Sequence, residues 1–350
     1  MQYNQLGNTG TYVSRLCLGT MTFGGKGTMY AALGGLDQKE AEVLVNQALD
    51  AGVNFIDTAN VYAGGESETI TGKALGAKRK DVVLATKVFG RVGQTPNEVG
   101  ISRLAVMQQA EASLKRLGTD YIDLYQIHGF DAITPMEESL RALDDLVRQG
   151  KVRYIGVSNW AAWQIMKGLG VSALGGLEKF ATLQAYYSLA GRDIEHDIVP
   201  MLKDQKLGLM TWSPLAGGVL SGKFSRKSLA NEGRRTLVDF PPVNVEQAYD
   251  VIEVLQKIAG KYGVTVAQVA LGWQLHQNYV TTVIMGAKNE KQLADNLGAV
   301  DVKLTEDDLA AIDAMSKPEL RYPGWMIEHQ SDRAPGAVRD WSKHTHSTFG

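Results

Sequence analysis

Asn54–Glu68 reads NFIDTANVYAGGESE, and the interpretation of the whole chain turns on it. Asn54 to Thr58 has the make-up of a short buried strand. Phe55 and Ile56 are bulky and apolar, and Gly52 just before them ends a helical pattern. The strand finishes on a carboxylate, Asp57. Tyr62 follows in a loop of small and polar residues, then Gly64-Gly65 and the helix-opening run Glu66-Ser67-Glu68. A charge at the end of a buried strand is costly unless it meets an opposite charge or does chemistry. The flanking sequence must therefore supply whatever stands beside Asp57 and Tyr62.

Working outward, the same strand-then-helix pattern recurs on both sides. Upstream lies a strand at Leu16–Thr20, preceded by a short hairpin from Tyr3–Leu6 and Tyr12–Ser14 around Gly7–Gly10. A glycine-rich loop, Phe23–Leu36, leads to a helix capped by Asp37 with Glu40 three residues on, which runs to Ala51. Downstream come helix Glu66–Leu75, strand Val82–Lys87, a helix from Ser102 to Leu117 stopped by Gly118, and strand Tyr121–His128. Thr134-Pro135-Met136-Glu137 predicts a capping box with proline at the first helical position. Strands at Val152–Asn159, Ala181–Gln184, Gly208–Trp212 and Thr282–Met285 follow, the last leading into helix Asn289–Asn296.

Eight short apolar strands alternating with helices imply parallel βαβ units. Eight such units close a barrel of typically ~250 residues, with room for insertions. The fold expected is an α/β (β/α)8 TIM barrel, one domain over residues 1–350. Its additions are the N-terminal β-hairpin, a long loop at Ser213–Pro242, extra helices in Val245–Asn278 and a C-terminal tail. A doubly wound open sheet is the rival, disfavoured because no G-x-G-x-x-G follows the first strand.

The bulk numbers narrow the function. Of 350 residues, 44% are hydrophobic and 21% charged, as in an ordinary globular protein. A net charge of −2 offers no electrostatic case for nucleic acid or an anionic membrane. No apolar run approaches membrane-spanning length, and no basic segment with an apolar run opens the chain. Cys17 is the single cysteine, which excludes an internal disulfide framework and fits a cytoplasmic setting.

In such a barrel the chemistry sits at the C-terminal ends of the strands. Three successive strands end in ionisable residues, Asp57, Lys87 and His128, with Tyr62 in the loop after the first of these. Adjacent strand ends lie about 5 Å apart, so the four side chains can converge. Taken singly, each has an ordinary reading: a turn cap, loop packing, a surface lysine, a core histidine. Four together on neighbouring strand ends fit proton transfer to a carbonyl oxygen. A lysine ammonium beside tyrosine favours the phenolate and lowers its pKa, an aspartate keeps that lysine charged, and a histidine orients the carbonyl. No nucleophile or metal-ligand set accompanies them, so hydride from a nicotinamide is the natural electron source.

The chain resembles the aldo-keto reductases, including the related potassium-channel β subunits. The resemblance rests on LCLGTMTFGG, NFIDTANVYAGGESE, VLATKV, DYIDLYQIHGFD, KVRYIGVSNW, LQAYYSL, TWSPLAGGVLSGKF and GAKNEKQLADN, in that order along nearly the whole chain. It implies NADPH/NADP+ laid across the barrel mouth, a small-molecule carbonyl or alcohol substrate, and a catalytic tetrad of Asp57, Tyr62, Lys87 and His128. It further implies that Ser158, Asn159 and Gln184 hold the nicotinamide carboxamide and that Trp212 stacks on the ring. The remaining cofactor positions expected are Gly19, Thr20, Ser213, Pro214, Leu215, Gly217 and Lys223, with Gly286, Lys288, Gln292 and Asn296 at the 2′-phosphate and adenine. Substrate walls are expected from Met21, Phe23, Phe89, Phe130, Trp160, Tyr322 and Trp325 together with Tyr62 and His128, the last two wall residues coming from a tail over 317–350. A regulatory subunit that binds the cofactor and turns over slowly is the alternative. A hydrolase pairing Asp57 with Glu66 or Glu68 would leave Lys87 and His128 without a task.

Two motifs mislead. Gly217–Lys223 has P-loop spacing, but Phe224 stands where a Ser or Thr must hold magnesium. His344 and His346 have no cysteine or carboxylate cluster to complete a metal site.

Overall fold

The computed structural model describes residues 1–226, 235 and 239–329. Strands β1 (Tyr3–Gln5) and β2 (Tyr12–Ser14) form an antiparallel hairpin. The other strands are β3 (Leu16–Gly19), β4 (Phe55–Asp57), β5 (Val83–Val88), β6 (Ile122–Ile127), β7 (Val152–Ser158), β8 (Phe180–Tyr186), β9 (Gly208–Trp212) and β10 (Val280–Met285). They close a parallel barrel in the order β10-β3-β4-β5-β6-β7-β8-β9. This is the eight-stranded α/β barrel that the alternating pattern predicts.

Helices α1 (Gln38–Asp50), α2 (Glu66–Leu75), α3 (Arg103–Leu117), α4 (Met136–Arg148) and α5 (Ala162–Gly175) cover the first strands, each packed beside its predecessor. Next come α6 (Ile198–Gln205), the expected extra pair α7 (Val245–Tyr262) and α8 (Val266–His276), α9 (Glu290–Leu297) and α10 (Glu306–Ser316). A single-turn-scale helix, α11 (Gly324–His329), ends the described chain.

Local signals set the helix ends. Asp37 and Glu40 form the expected reciprocal box, Asp37 accepting from the Glu40 N–H at 3.1 Å and Glu40 from the Asp37 N–H at 2.9 Å. Gly118 ends α3 at φ 63°, where a side chain would be strained. The capping box expected at Thr134 does not form. Asp131 accepts the Thr134 hydroxyl at 2.7 Å and the Ile133 N–H at 2.9 Å, so Thr134 is already engaged in a turn and Pro135 becomes the cap.

Alternation along the strands separates two cores. Outward residues such as Leu18, Ile56, Leu84 and Leu209 pack under the helices. Inward, Cys17, Phe55, Ala85, Leu124, Met210 and Ile284 join Leu6 and Val13 of the hairpin in a second apolar cluster that fills one end of the barrel. Two residues further along, three of these inward rows turn polar: Phe55 gives way to Asp57, Ala85 to Lys87 and Leu124 to Gln126, while on β7 Tyr154 gives way to Gly156. That switch places a polar layer directly above the apolar fill.

Candidate active site

Asp57 and Lys87 meet inside the barrel, the ammonium donating to Asp57 Oδ2 at 2.5 Å, with both side chains essentially out of water. Removing two charges from water costs several kcal/mol each unless every lone pair and proton finds a partner. Here they do. Lys87 also donates to the Thr58 carbonyl at 2.8 Å and to the Tyr62 hydroxyl at 3.3 Å, which uses its three protons. Asp57 Oδ1 accepts from the Gln126 and Gln184 amides at 3.1 and 2.9 Å.

Tyr62 reaches this pair because the backbone after it turns sharply. Ala63, Gly64 and Gly65 all lie in the left-handed region, at φ 49°, 65° and 93°. At φ 93° Gly65 suits a conformation that other residues rarely adopt, and a Cβ there would press on the Arg116 side chain at 2.8 Å. The Tyr62 ring meets His128 edge-on at 5.9 Å, and the Lys87 nitrogen lies 5.0 Å from its centre.

The electrostatics differ from the sequence expectation in one respect. Burial pushes the Tyr62 phenol above its ordinary value. Lys87 pulls it back only in part, with Asp57 opposing that pull. The phenol therefore stays a firm proton carrier in the free protein. Burial alone would depress Lys87, but Asp57 and Tyr62 outweigh it and hold the ammonium above its usual range. Burial, then the nearby Lys87 charge, bring His128 down to about 3, so its imidazole is neutral at ordinary pH.

A cleft of about 410 Å³ opens over this group. Asp57, Tyr62, His128 and Met21 line it, as do Gly19, Thr20, Ser158, Asn159, Gln184 and Trp212. It continues past Ser213, Pro214, Leu215 and Gly217 to Gly286, Lys288, Gln292 and Asn296. Ser158 Oγ is buried with no hydrogen-bond partner. Asn159 is already engaged: its amide donates to the His128 carbonyl at 2.9 Å, and its oxygen accepts the Trp212 indole N–H at 3.0 Å. At the far end Lys288 donates to the Ala32 carbonyl at 2.9 Å, and the Gln292 side chain accepts the Lys288 N–H at 2.9 Å.

Several expected wall residues lie elsewhere. Phe23 is fully buried in the core, in a bridge with Leu36. Trp160 is buried edge-on against Phe130 and Phe180, at 5.1 and 5.7 Å, so these aromatics satisfy one another and not the cleft. The Phe89 ring lies against Gly129, where a Cβ would come within 2.9 Å of it. Lys223 is exposed beyond the turn Ala216–Ser221, outside the cleft. Tyr322 and Trp325 pair with each other at 5.9 Å and are 76% and 49% exposed, also away from it. The tail beyond residue 329, with His344 and His346, is outside the described residues. So are 227–234 and 236–238 of the long loop.

The acids of the hydrolase reading are spent. Glu66 accepts the Gly25 N–H at 2.7 Å, and the fully buried Glu68 takes Thr86 at 2.5 Å and Arg116 at 2.6 Å. No metal-binding cluster exists among the described residues. Two features of the site escaped the sequence. Phe240 stacks on Trp212 at 5.6 Å with planes 12° apart, a contact from a loop whose path no periodicity encodes. Gln126 was legible in principle, as an amide inside the apolar run YIDLYQIH that must find partners.

Comparison with known proteins identifies the setting of this cleft. The probable voltage-gated potassium channel subunit beta of Oryza sativa subsp. japonica is 39% identical over 332 residues, covering 91% of this chain and 98% of that protein. An uncharacterized oxidoreductase, YrpG, of Bacillus subtilis (strain 168) is 38% identical over 325 residues, covering 88% and 94%. The versiconal hemiacetal acetate reductase of Aspergillus parasiticus is 32% identical over 346 residues, covering 93% and 99%. A family model matches residues 15–317, which include every strand of the barrel. The chain belongs to the aldo/keto reductase family, whose members generally act as nicotinamide-dependent oxidoreductases.

Proposed function

We propose that the protein is an NADPH-dependent oxidoreductase that interconverts aldehydes or ketones and alcohols, with Tyr62 as the general acid. The observation that carries this reading is the Lys87 ammonium, 2.5 Å from Asp57 and 3.3 Å from the Tyr62 hydroxyl. Names of relatives as oxidoreductase and reductase agree with it.

The cleft fits the cofactor on its own chemistry. The unpartnered Ser158 hydroxyl and the Gln184 amide suit a carboxamide, and the Trp212 ring suits the face of an aromatic heterocycle. The segment Ser213–Leu215 with Gly217 would run along the pyrophosphate. Lys288 just before α9, Gln292 in its first turn and Asn296 near its end would hold the 2′-phosphate and adenine. Bound NADPH supplies the hydride. In reduction Tyr62 donates its proton to the carbonyl oxygen, and Lys87 stabilises the phenolate left behind. Asp57 keeps Lys87 charged through the cycle. Neutral His128 keeps one ring N–H, which can donate to the carbonyl oxygen and orient it.

Turnover of NADPH with a panel of aryl and alkyl aldehydes, beside direct titration of the cofactor, tests the proposal. Tyr62→Phe should lower kcat by a factor on the order of 10²–10⁴ while leaving cofactor affinity nearly unchanged. Wild-type rates in Tyr62→Phe would remove the proton-donor role. Tight NADPH binding with no turnover of any carbonyl would leave a binding subunit instead.

A further inference from the structure

One buried amide stands between the two functions of the polar layer, charge pairing and cofactor holding. Gln126 is fully buried, does not line the cleft, and sits opposite Lys87 in the β5–β6 register and opposite Gly156 in β6–β7. A Cβ on Gly156 would stand 3.3 Å from Gln126 Cγ and 2.4 Å from the Thr182 hydroxyl, so the glycine leaves room for the Gln126 side chain to cross the barrel. Its Nε2 donates to Asp57 Oδ1 at 3.1 Å, and its Oε1 accepts from Gln184 Nε2 at 3.3 Å. Gln184 Nε2 donates in turn to Asp57 Oδ1 at 2.9 Å.

The orientation of both amides follows from the carboxylate. An ionised Asp57 can only accept, so each glutamine must present its NH2 group to it. With Gln126 fixed in this way, its oxygen faces Gln184 and takes the second Gln184 N–H. Both protons of Gln184 are then used inside the barrel, and its Oε1 is left for the cleft that Gln184 lines. If Gln126 lost its amide, one Gln184 proton would have no partner and the Gln184 amide could turn.

We propose that Gln126 is a positioning residue: it locks the Gln184 amide with its oxygen toward the cleft, as an acceptor for a carboxamide N–H, while completing the donor set of Asp57. This rests on the nicotinamide reading given above. Through Gln126 the group that holds the cofactor and the group that keeps Lys87 charged share one hydrogen-bonded unit.

The test uses the full-length protein and two probes, NADP+ and adenosine 2′,5′-diphosphate, which carries the adenosine end without the nicotinamide. Failure of wild type to bind NADP+ would sink the cofactor reading before any variant is made. Given wild-type binding, Gln126→Met should weaken NADP+ by about tenfold and leave adenosine 2′,5′-diphosphate within about twofold. It should lower kcat more than it changes substrate KM. Equal weakening of both probes, or of neither, overturns the proposal.

Gln126→Glu supplies a second reading that does not depend on how Gln126→Met folds. A protonated glutamic acid can donate to Asp57 and accept from Gln184, as the amide does, whereas its anion would oppose Asp57. The titratable neighbours are Asp57 on β4, Lys87 on β5, Tyr62 and His128 at the mouth and Cys17 on β3. From β7 and β8, Gly156, Thr182 and Gln184 lie beside it, with Tyr154 next in the same inward row. Because those groups are common to both proteins, the activity of Gln126→Glu relative to wild type at each pH isolates the substitution. That ratio should rise as pH falls. A ratio independent of pH overturns the proposal.

Discussion

The two ends of the cleft are held in opposite ways. At the Tyr62 end, Asp57, Lys87, Gln126 and Gln184 are buried and bonded to one another, and no charge among them reaches water. At the Gly286 end, Lys288 and Gln292 are exposed, the Lys288 ammonium donating to the Ala32 carbonyl and the Lys288 N–H to the Gln292 side chain. The same pair of charges interacts several times more strongly in a dry interior than at a surface. The closed end is therefore suited to fixing a proton in place, and the open end to choosing a ligand at modest cost.

Lys87→Met should break the contrast at its strong end. It strands the Asp57 carboxylate without its counter-charge, which costs about 3–5 kcal/mol of stability, and it removes the cation 3.3 Å from the Tyr62 hydroxyl, which on the proposed mechanism stabilises the phenolate. Denaturant unfolding and kcat measured together should both collapse. Wild-type stability in this variant would mean that Asp57 is held by its two amides alone.

His128 lies edge-on to Tyr62 and tests how dry that end is. Its folded pKa, about 3, lies below the unfolded value near 6.5. The unfolded chain thus takes up a proton first, and stability is full above pH 6.5 and falls as pH drops toward 3. His128→Gln should flatten that loss, by roughly 1–2 kcal/mol near pH 5. Parallel pH–stability curves for the two proteins would show that the imidazole is better hydrated than its surroundings indicate.

At the open end, Lys288→Ala should weaken NADPH by about 1.5 kcal/mol, roughly tenfold, and leave NADH nearly untouched. The value lies at the low end for a bond to a charged group because Lys288 must first release the Ala32 carbonyl. Titration with both cofactors separates this from a general loss of fit. The smallest effect belongs to the tail. Tyr322→Ala with Trp325→Ala should change substrate KM by less than about twofold, since these rings touch each other and not the cleft. A larger shift would bring the tail to the pocket.

What the sequence conveyed follows the same division. Strand ends are legible because period two and apolar bulk fix which side chains point inward, so Asp57, Lys87 and His128 could be placed before any coordinates. The segments Ser213–Leu215 and Gly286–Asn296 were legible through their motifs. Phe130 and Trp160 were misplaced because an aromatic side chain in a loop has many possible partners, and theirs are each other and Phe180. Thr134 failed as a cap because Asp131, three residues earlier, competes for its hydroxyl. The sign at Tyr62 depends on weighing burial against a nearby charge, which needs distances and depth.

The apolar cluster beneath the polar layer has a consequence for proton traffic. Leu6 and Val13 of the hairpin, with Phe55, Leu124, Met210 and Ile284, set a largely apolar layer beneath Asp57. Both Asp57 oxygens are already occupied by donors that Lys87, Gln126 and Gln184 cannot give up without breaking the layer. On the proposed role of Tyr62, the proton it gives up is restored from the mouth, through the same opening that would admit the ligands.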